Sequence, residues 1–108
     1  MHSTLIVARM TSGSSAEVAR IFGEFDRTDM PGLMGTRRRQ LFSYQDLYFH
    51  LQDFDSDGGQ AIERARSHPL FVEISNTLKA HIEPYDPKIW KSPSDAMAHR
   101  FYHWEMSA

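Results

Sequence analysis

Thr4 to Met10 (TLIVARM) is a run of aliphatic and β-branched residues closed by Thr11-Ser12-Gly13, and it predicts a central strand buried on at least one face. The period then changes. Val18, Ile21, Phe22 and Phe25 recur at spacings of three and four, which is the apolar stripe of a helix lying on a sheet. Ser14-Ser15-Ala16-Glu17 reads as its capping box, with the Ser14 hydroxyl set to bond the amide of Glu17 and that carboxylate set to reach back. The stripe stops at Phe25-Asp26. Thr28-Asp29-Met30-Pro31-Gly32 is expected to break the helix, because proline and the residue before it both disfavour its continuation.

Gly35 to Phe54 (GTRRRQLFSYQDLYFHLQDF) reads as two strands joined by a tight turn at Ser43-Tyr44-Gln45-Asp46. A two-residue loop at Gln45-Asp46 sets Tyr44 opposite Leu47, Leu41 opposite His50 and Arg39 opposite Gln52. One face then carries Arg37, Arg39, Leu41 and Ser43 with Tyr48, His50, Gln52 and Phe54. The other carries Arg38, Gln40, Phe42 and Tyr44 with Leu47, Phe49, Leu51 and Asp53. The second face is greasier in its middle, so Phe42, Phe49 and Leu51 are expected to meet the helices. The first sets a guanidinium diagonal to an imidazole among apolar groups, the combination of a small polar binding pocket.

Beyond the hairpin, Asp55 to Gly59 is a turn cluster, and Gln60 to Arg66 predicts a short helix with Ile62 as its apolar contact. Pro69 suits a first helical turn, so a further helix is expected over Pro69 to Lys79 with Leu70, Phe71, Ile74 and Leu78 inward and His68 at its start. Ile82 to Pro93, rich in proline, reads as an irregular apolar loop suited to a lid or a dimer arm. Phe101 to Trp104 is expected to be the last strand. The order predicts an α+β protein with the β-α-β-β-α-β pattern of a ferredoxin-like fold, an antiparallel sheet with helices on one face. Pairing of two sheets in a dimeric α+β barrel would cover the open face.

With 108 residues the chain is expected to be one domain, and 41% hydrophobic with 24% charged residues is an ordinary globular composition. A net charge of -2 gives no case for nucleic acid or an anionic membrane. The one basic run, Arg37-Arg38-Arg39, would alternate between strand faces and form no patch. There is no cysteine, so thiol catalysis, disulfides and thiolate metal sites are excluded. The opening MHSTLIVARM has too short an apolar run for a signal or an anchor, and a cytoplasmic protein is expected.

Phe25-Asp26, Thr28-Asp29-Met30-Pro31, Gly35 to Phe42, Leu47-Tyr48-Phe49-His50-Leu51, Ser67 to Phe71, Pro84-Tyr85 and Phe101-Tyr102 with Trp104 occur in an order that resembles the tetracenomycin-type aromatic polyketide cyclases. The resemblance runs from end to end, and the opening and the DAMAHRFYHWE ending are most similar to the spore-pigment (whiE-type) members. It implies a single cyclase domain over residues 1–108, a ferredoxin-like homodimer and no metal or organic cofactor. It further implies late ring closure of a poly-β-ketone or partly cyclised aromatic intermediate in a bacterial type II pathway. Transient contact with the synthase subunits would accompany that task. The Asp, Arg and His argued for in the family fall on Asp26, Arg39 and His50. A His preceding the Asp in the tetracenomycin-type pattern is Phe25 here, which departs from any scheme needing two imidazoles.

Aldol closure needs a proton taken from carbon between carbonyls, a stabilised enolate oxygen, and loss of water. His50, with an ordinary pKa of about 6.5, is the first candidate to take and return the proton. Arg39, permanently charged and donor-rich, suits the enolate oxygen, while Asp26 could orient either of them. Tyr48, Trp90, Tyr102 and Trp104 are the candidate walls of a substrate pocket. Two rival functions fit the same residues: a cofactor-independent oxygenase acting on an anthrone-like aromatic, and a non-catalytic subunit that holds the polyketide while it cyclises unaided.

Overall fold

The computed structural model describes residues 2–91 and 93–107. Four strands, β1 (His2–Met10), β2 (Thr36–Tyr44), β3 (Leu47–Phe54) and β4 (Ile82–Pro84), form one antiparallel sheet in the order β2-β3-β1-β4. Helices α1 (Ser15–Phe25) and α2 (Met30–Met34) connect β1 to β2, and α3 (Gly58–Ala65) and α4 (Pro69–Leu78) connect β3 to β4. The β-α-β-β-α-β order is therefore present, with a helix pair in each helical slot. The core lies between helices and sheet, where Val18, Ile21, Phe22, Met30, Ile62 and Ile74 meet Ala8, Tyr48 and Phe54. Among the described residues no helix is long and apolar enough to cross a membrane.

The hairpin register is the expected one: Tyr44 pairs with Leu47, Leu41 with His50 and Arg39 with Gln52. Gln45 supplies the turn with φ 57°. One irregularity lies at its far end, a register shift between Thr36 and Arg38 that leaves Arg37 unpaired in the ladder and ion-paired with Asp55. The inward face, however, is the opposite of the expected one. Tyr48, His50, Gln52 and Phe54 are buried beneath the helices, whereas Phe42 is 50% exposed and Phe49 and Leu51 stay half-buried on the outer face. Polar side chains can be buried there because they bond one another.

Two further expectations are corrected and one is extended. Ser14 has helical backbone angles (φ -89°, ψ -5°) and makes no side-chain cap; its hydroxyl lies 3.0 Å from Nδ1 of His81, and Glu17 pairs instead with Arg20. A capping serine needs an extended backbone to turn its oxygen onto the first amides, and Ser14 lacks it. The segment after α1 is more than a break. Pro31 occupies the first turn of α2, and Gly35, with φ 74°, ends it. The last strand is Ile82–Pro84, paired with Ala8 to Met10, and not Phe101 to Trp104. Proline is tolerated there because β4 is an edge. The edge of β1 that β4 occupies is taken up again by Met97, bridged to Ile6, and by Ala98, whose amide donates to the Leu5 carbonyl at 2.7 Å. Phe101 beyond it is 92% exposed.

The second helical slot begins where two side chains cap it. Asp57 accepts from the Gln60 amide at 3.1 Å, and Nδ1 of His68 accepts from the Leu70 amide at 3.1 Å, so His68 is the helix-start residue expected. Gly58 is required by packing. A Cβ there would run into the ring of Phe54 and stand 2.8 Å from Cγ2 of Thr4.

Candidate active site

Arg39 is the centre of a polar cluster on the inner face of the hairpin. Its side chain is only 8% exposed, held between the hairpin and the C-terminal end of α1. Nε donates to both carboxylate oxygens of Asp26 at 3.1 Å, and Nη2 donates to Oδ1 at 2.8 Å. Nη1 donates to Nε2 of His50 and to Oε1 of Gln52, each at 2.9 Å. The flat guanidinium also lies on two rings of α1, with Cζ 4.9 Å from the Phe22 centroid and 5.6 Å from that of Phe25. The register explains the convergence. Arg39 faces Gln52 across the ladder and stands diagonal to His50, while Asp26 caps the helix that lies on this face.

The bond from Arg39 decides the state of His50. Arginine carries donors only, so Nε2 must accept and the imidazole proton resides on Nδ1. Burial, helped by the adjacent Arg39 charge, lowers the His50 pKa to about 3. His50 is therefore held as a neutral imidazole whose one accepting nitrogen is committed to Arg39. Tyr48, two residues away on the same face, has its pKa pushed up by burial, with the Arg39 charge opposing. Its ring meets His50 edge-on at 6.1 Å.

These groups form part of the wall of a cavity of about 680 Å³ between the sheet and the helices. Ile6, Ala8, Phe22, Phe25, Met34 and Ile74 make much of the remainder apolar. Such a volume suits a molecule of several fused rings, since small-molecule pockets span roughly 300 to 1,000 Å³. Of the residues nominated from sequence, Arg39, His50, Tyr48 and Trp90 line this cavity. Asp26 does not; 38% exposed, it grips Arg39 from the solvent side. Tyr102 and Trp104 lie on the exposed tail, away from the cavity. Sequence reasoning passed over Gln52 and the aromatic clasp of Phe22 and Phe25 on Arg39. Gln52 was within reach of it, standing two residues from His50 on the same strand face.

The model of the polyketide synthesis cyclases matches residues 2–105. The chain belongs to that family. Among its relatives, the polyketide synthase CurG of Streptomyces cyaneus is 41% identical over 105 residues, covering 97% of this chain and 98% of that protein. Tetracenomycin F2 cyclase of Streptomyces glaucescens is 39% identical over 103 residues, covering 95% of this chain and 94% of its own. The solved structure of that cyclase, described as a type II polyketide cyclase, superposes with a TM-score of 0.91 over 99% of this chain and 100% of the other. A cofactor-independent oxygenase, SnoaB of Streptomyces nogalater, is 22% identical with a TM-score of 0.55 over 75% of this chain and 84% of its own, a likeness of fold alone. Membership of the cyclase family supports an enzymatic role and a polyketide intermediate as the molecule handled.

Proposed function

We propose that this cyclase directs late ring closure of an aromatic polyketide intermediate in a bacterial type II pathway, by intramolecular aldol condensation and dehydration. The observation that carries the reading is a buried Arg39, bonded to His50 and Gln52, in the wall of an otherwise mostly apolar cavity. Closure begins when a carbon between two carbonyls loses a proton to water, leaving an enolate. That carbon is acidic in its own right, so the larger gain comes from holding the chain folded and from stabilising the enolate oxygen. The guanidinium charge of Arg39 and Nδ1–H of His50 do so, His50 acting as a neutral electrophile as imidazole does in some isomerases. The enolate carbon then bonds the facing carbonyl carbon, whose oxygen becomes an alkoxide and takes a proton. Loss of that hydroxyl as water, with a second C–H proton, gives the aromatic ring.

The test is the product profile of a minimal synthase with and without the protein, in air and under anaerobic conditions. A new cyclised product formed equally without oxygen is the expected result. A product that requires oxygen would establish the oxygenase chemistry instead. Unchanged products under both conditions would leave the chain no role in closure.

The protein works as a homodimer in this reading, in the cytoplasm and in transient contact with the synthase subunits. Support for the dimer comes from the outer face of the sheet, where Phe42 and Tyr44 are exposed beside half-buried Phe49 and Leu51. Sedimentation velocity is expected to give twice the chain mass, and Phe42→Glu, placing a charge on that face, is expected to give the monomer. A wild-type chain that sediments as a monomer at micromolar concentration would rule the dimer out.

A further inference from the structure

Gln52 lines the cavity and has no part in the closure scheme above. It is 3% exposed, and Oε1 accepts from Nη1 of Arg39 at 2.9 Å. A carboxamide can in principle present either end to a ligand. Here Arg39 removes the choice, because a group with donors only must face the oxygen and turn the amide nitrogen the other way. Among the described residues, the buried side-chain polar atoms without a partner are the hydroxyls of Thr4 and Thr36. The nitrogen of Gln52 has no hydrogen-bond partner among the described residues and is not one of these sealed atoms, and Gln52 is among the residues lining the cavity.

The same logic applies along the strand. Nε2 of His50 is committed to Arg39, which leaves only Nδ1–H to meet a ligand. Arg39 itself has spent Nε–H, both hydrogens of Nη1 and one of Nη2. Tyr48, His50 and Gln52 follow one another on one face of β3, at intervals of about 6.8 Å, twice the rise per residue. Two of the three can only donate.

We infer that Gln52 is a specificity-determining residue: with His50 it forms a row of donors that selects a planar polyketide bearing acceptor oxygens along one edge. Keto groups qualify, as do phenols whose protons are already bonded to a neighbouring carbonyl. Free hydroxyls that must donate do not, because neither Gln52 nor His50 has an acceptor to offer. The inference rests on the cyclase reading for its substrate class.

Two dihydroxyanthraquinone isomers separate the alternatives. Chrysazin has both hydroxyls beside one carbonyl, their protons internally bonded, so one edge is all acceptor. Anthraflavic acid has the same formula with its hydroxyls at the two far ends. Affinities would be measured by titration calorimetry, with quenching of tryptophan fluorescence as a second readout. The wild-type protein is expected to favour chrysazin by about tenfold, the value of roughly one well-made hydrogen bond. Gln52→Leu should weaken chrysazin alone and bring the two isomers within about twofold. Gln52→Glu keeps an oxygen for Arg39 but sets a second oxygen where the amide hydrogens were, so it should weaken chrysazin further than Gln52→Leu does.

Equal affinities in the wild type, a preference that survives either substitution, or equal weakening of both isomers would overturn the inference. If Gln52→Leu does not fold, the Gln52→Glu measurement decides. A protein that discriminates the isomers but leaves polyketide products unchanged loses the cyclase reading and keeps this one; a protein that cyclises without discrimination does the reverse.

Discussion

Arg39→Met is expected to slow cyclisation by about 10²- to 10³-fold, the range found when one preorganised donor to a developing oxyanion is removed. The loss of this side chain is felt three times over. Asp26 loses the cation it grips, Nε2 of His50 loses its donor, and Oε1 of Gln52 is freed to rotate. Methionine fills much of the space beside Phe22 and Phe25, so the variant should fold. Leaving buried acceptors unpaired should nevertheless cost about 1–3 kcal/mol of stability. Arg39→Lys is expected to rescue little, because one ammonium cannot address a carboxylate, an imidazole and a carboxamide in a plane. Single-turnover rates on a cyclisable intermediate, with urea unfolding of the same samples, measure both effects. A rate within about threefold of wild type would make the protein a mould whose walls alone guide closure.

Stability is expected to fall steeply with acid, and His50 is the cause. Its folded pKa of about 3 lies well below the ordinary value near 6.5. Above pH 6.5 the imidazole is neutral in both states and stability is unaffected. As pH drops below 6.5 the unfolded chain takes up a proton that the folded chain refuses, and about 1.4 kcal/mol is lost per pH unit. The loss reaches on the order of 5 kcal/mol before the folded state also protonates, a large share of a small domain's stability. Asp53 adds to it only at lower pH. The Ser3 hydroxyl and then Arg38 hold its carboxyl below the usual range, and that contribution is lost as the pH falls below about 3.8. Urea midpoints between pH 7.5 and about 4 would record the slope. His50→Gln, which keeps an acceptor for Arg39 without titrating, should flatten it. The rate of closure should likewise show no limb near pH 6.5; such a limb, abolished by His50→Gln, would return His50 to the role of base.

Part of this architecture is legible in local pattern. The alternation of Gly35 to Phe54 and its turn at Gln45-Asp46 set the register, and with it the placing of Arg39 opposite Gln52 and diagonal to His50. The stripe of α1 set its inner face, with Val18, Ile21, Phe22 and Phe25 all buried. Such features depend on residues a few positions apart, where the period of two or of 3.6 leaves little freedom. The family too could be read from short segments in order along the whole chain.

Tertiary structure alone decided the rest. Both faces of the hairpin carry apolar residues, so alternation could not say which turns inward; Arg39, His50 and Gln52 can go inside only because they bond one another once β2, β3 and α1 have met. The identity of the last strand was settled by an open edge of β1, which Ile82 to Pro84 reaches directly from α4 while the aromatic tail does not. Neutral His50 follows from the same distant contacts. Its type and position were written in the chain, but its protonation state is a product of burial and of a charge eleven residues away.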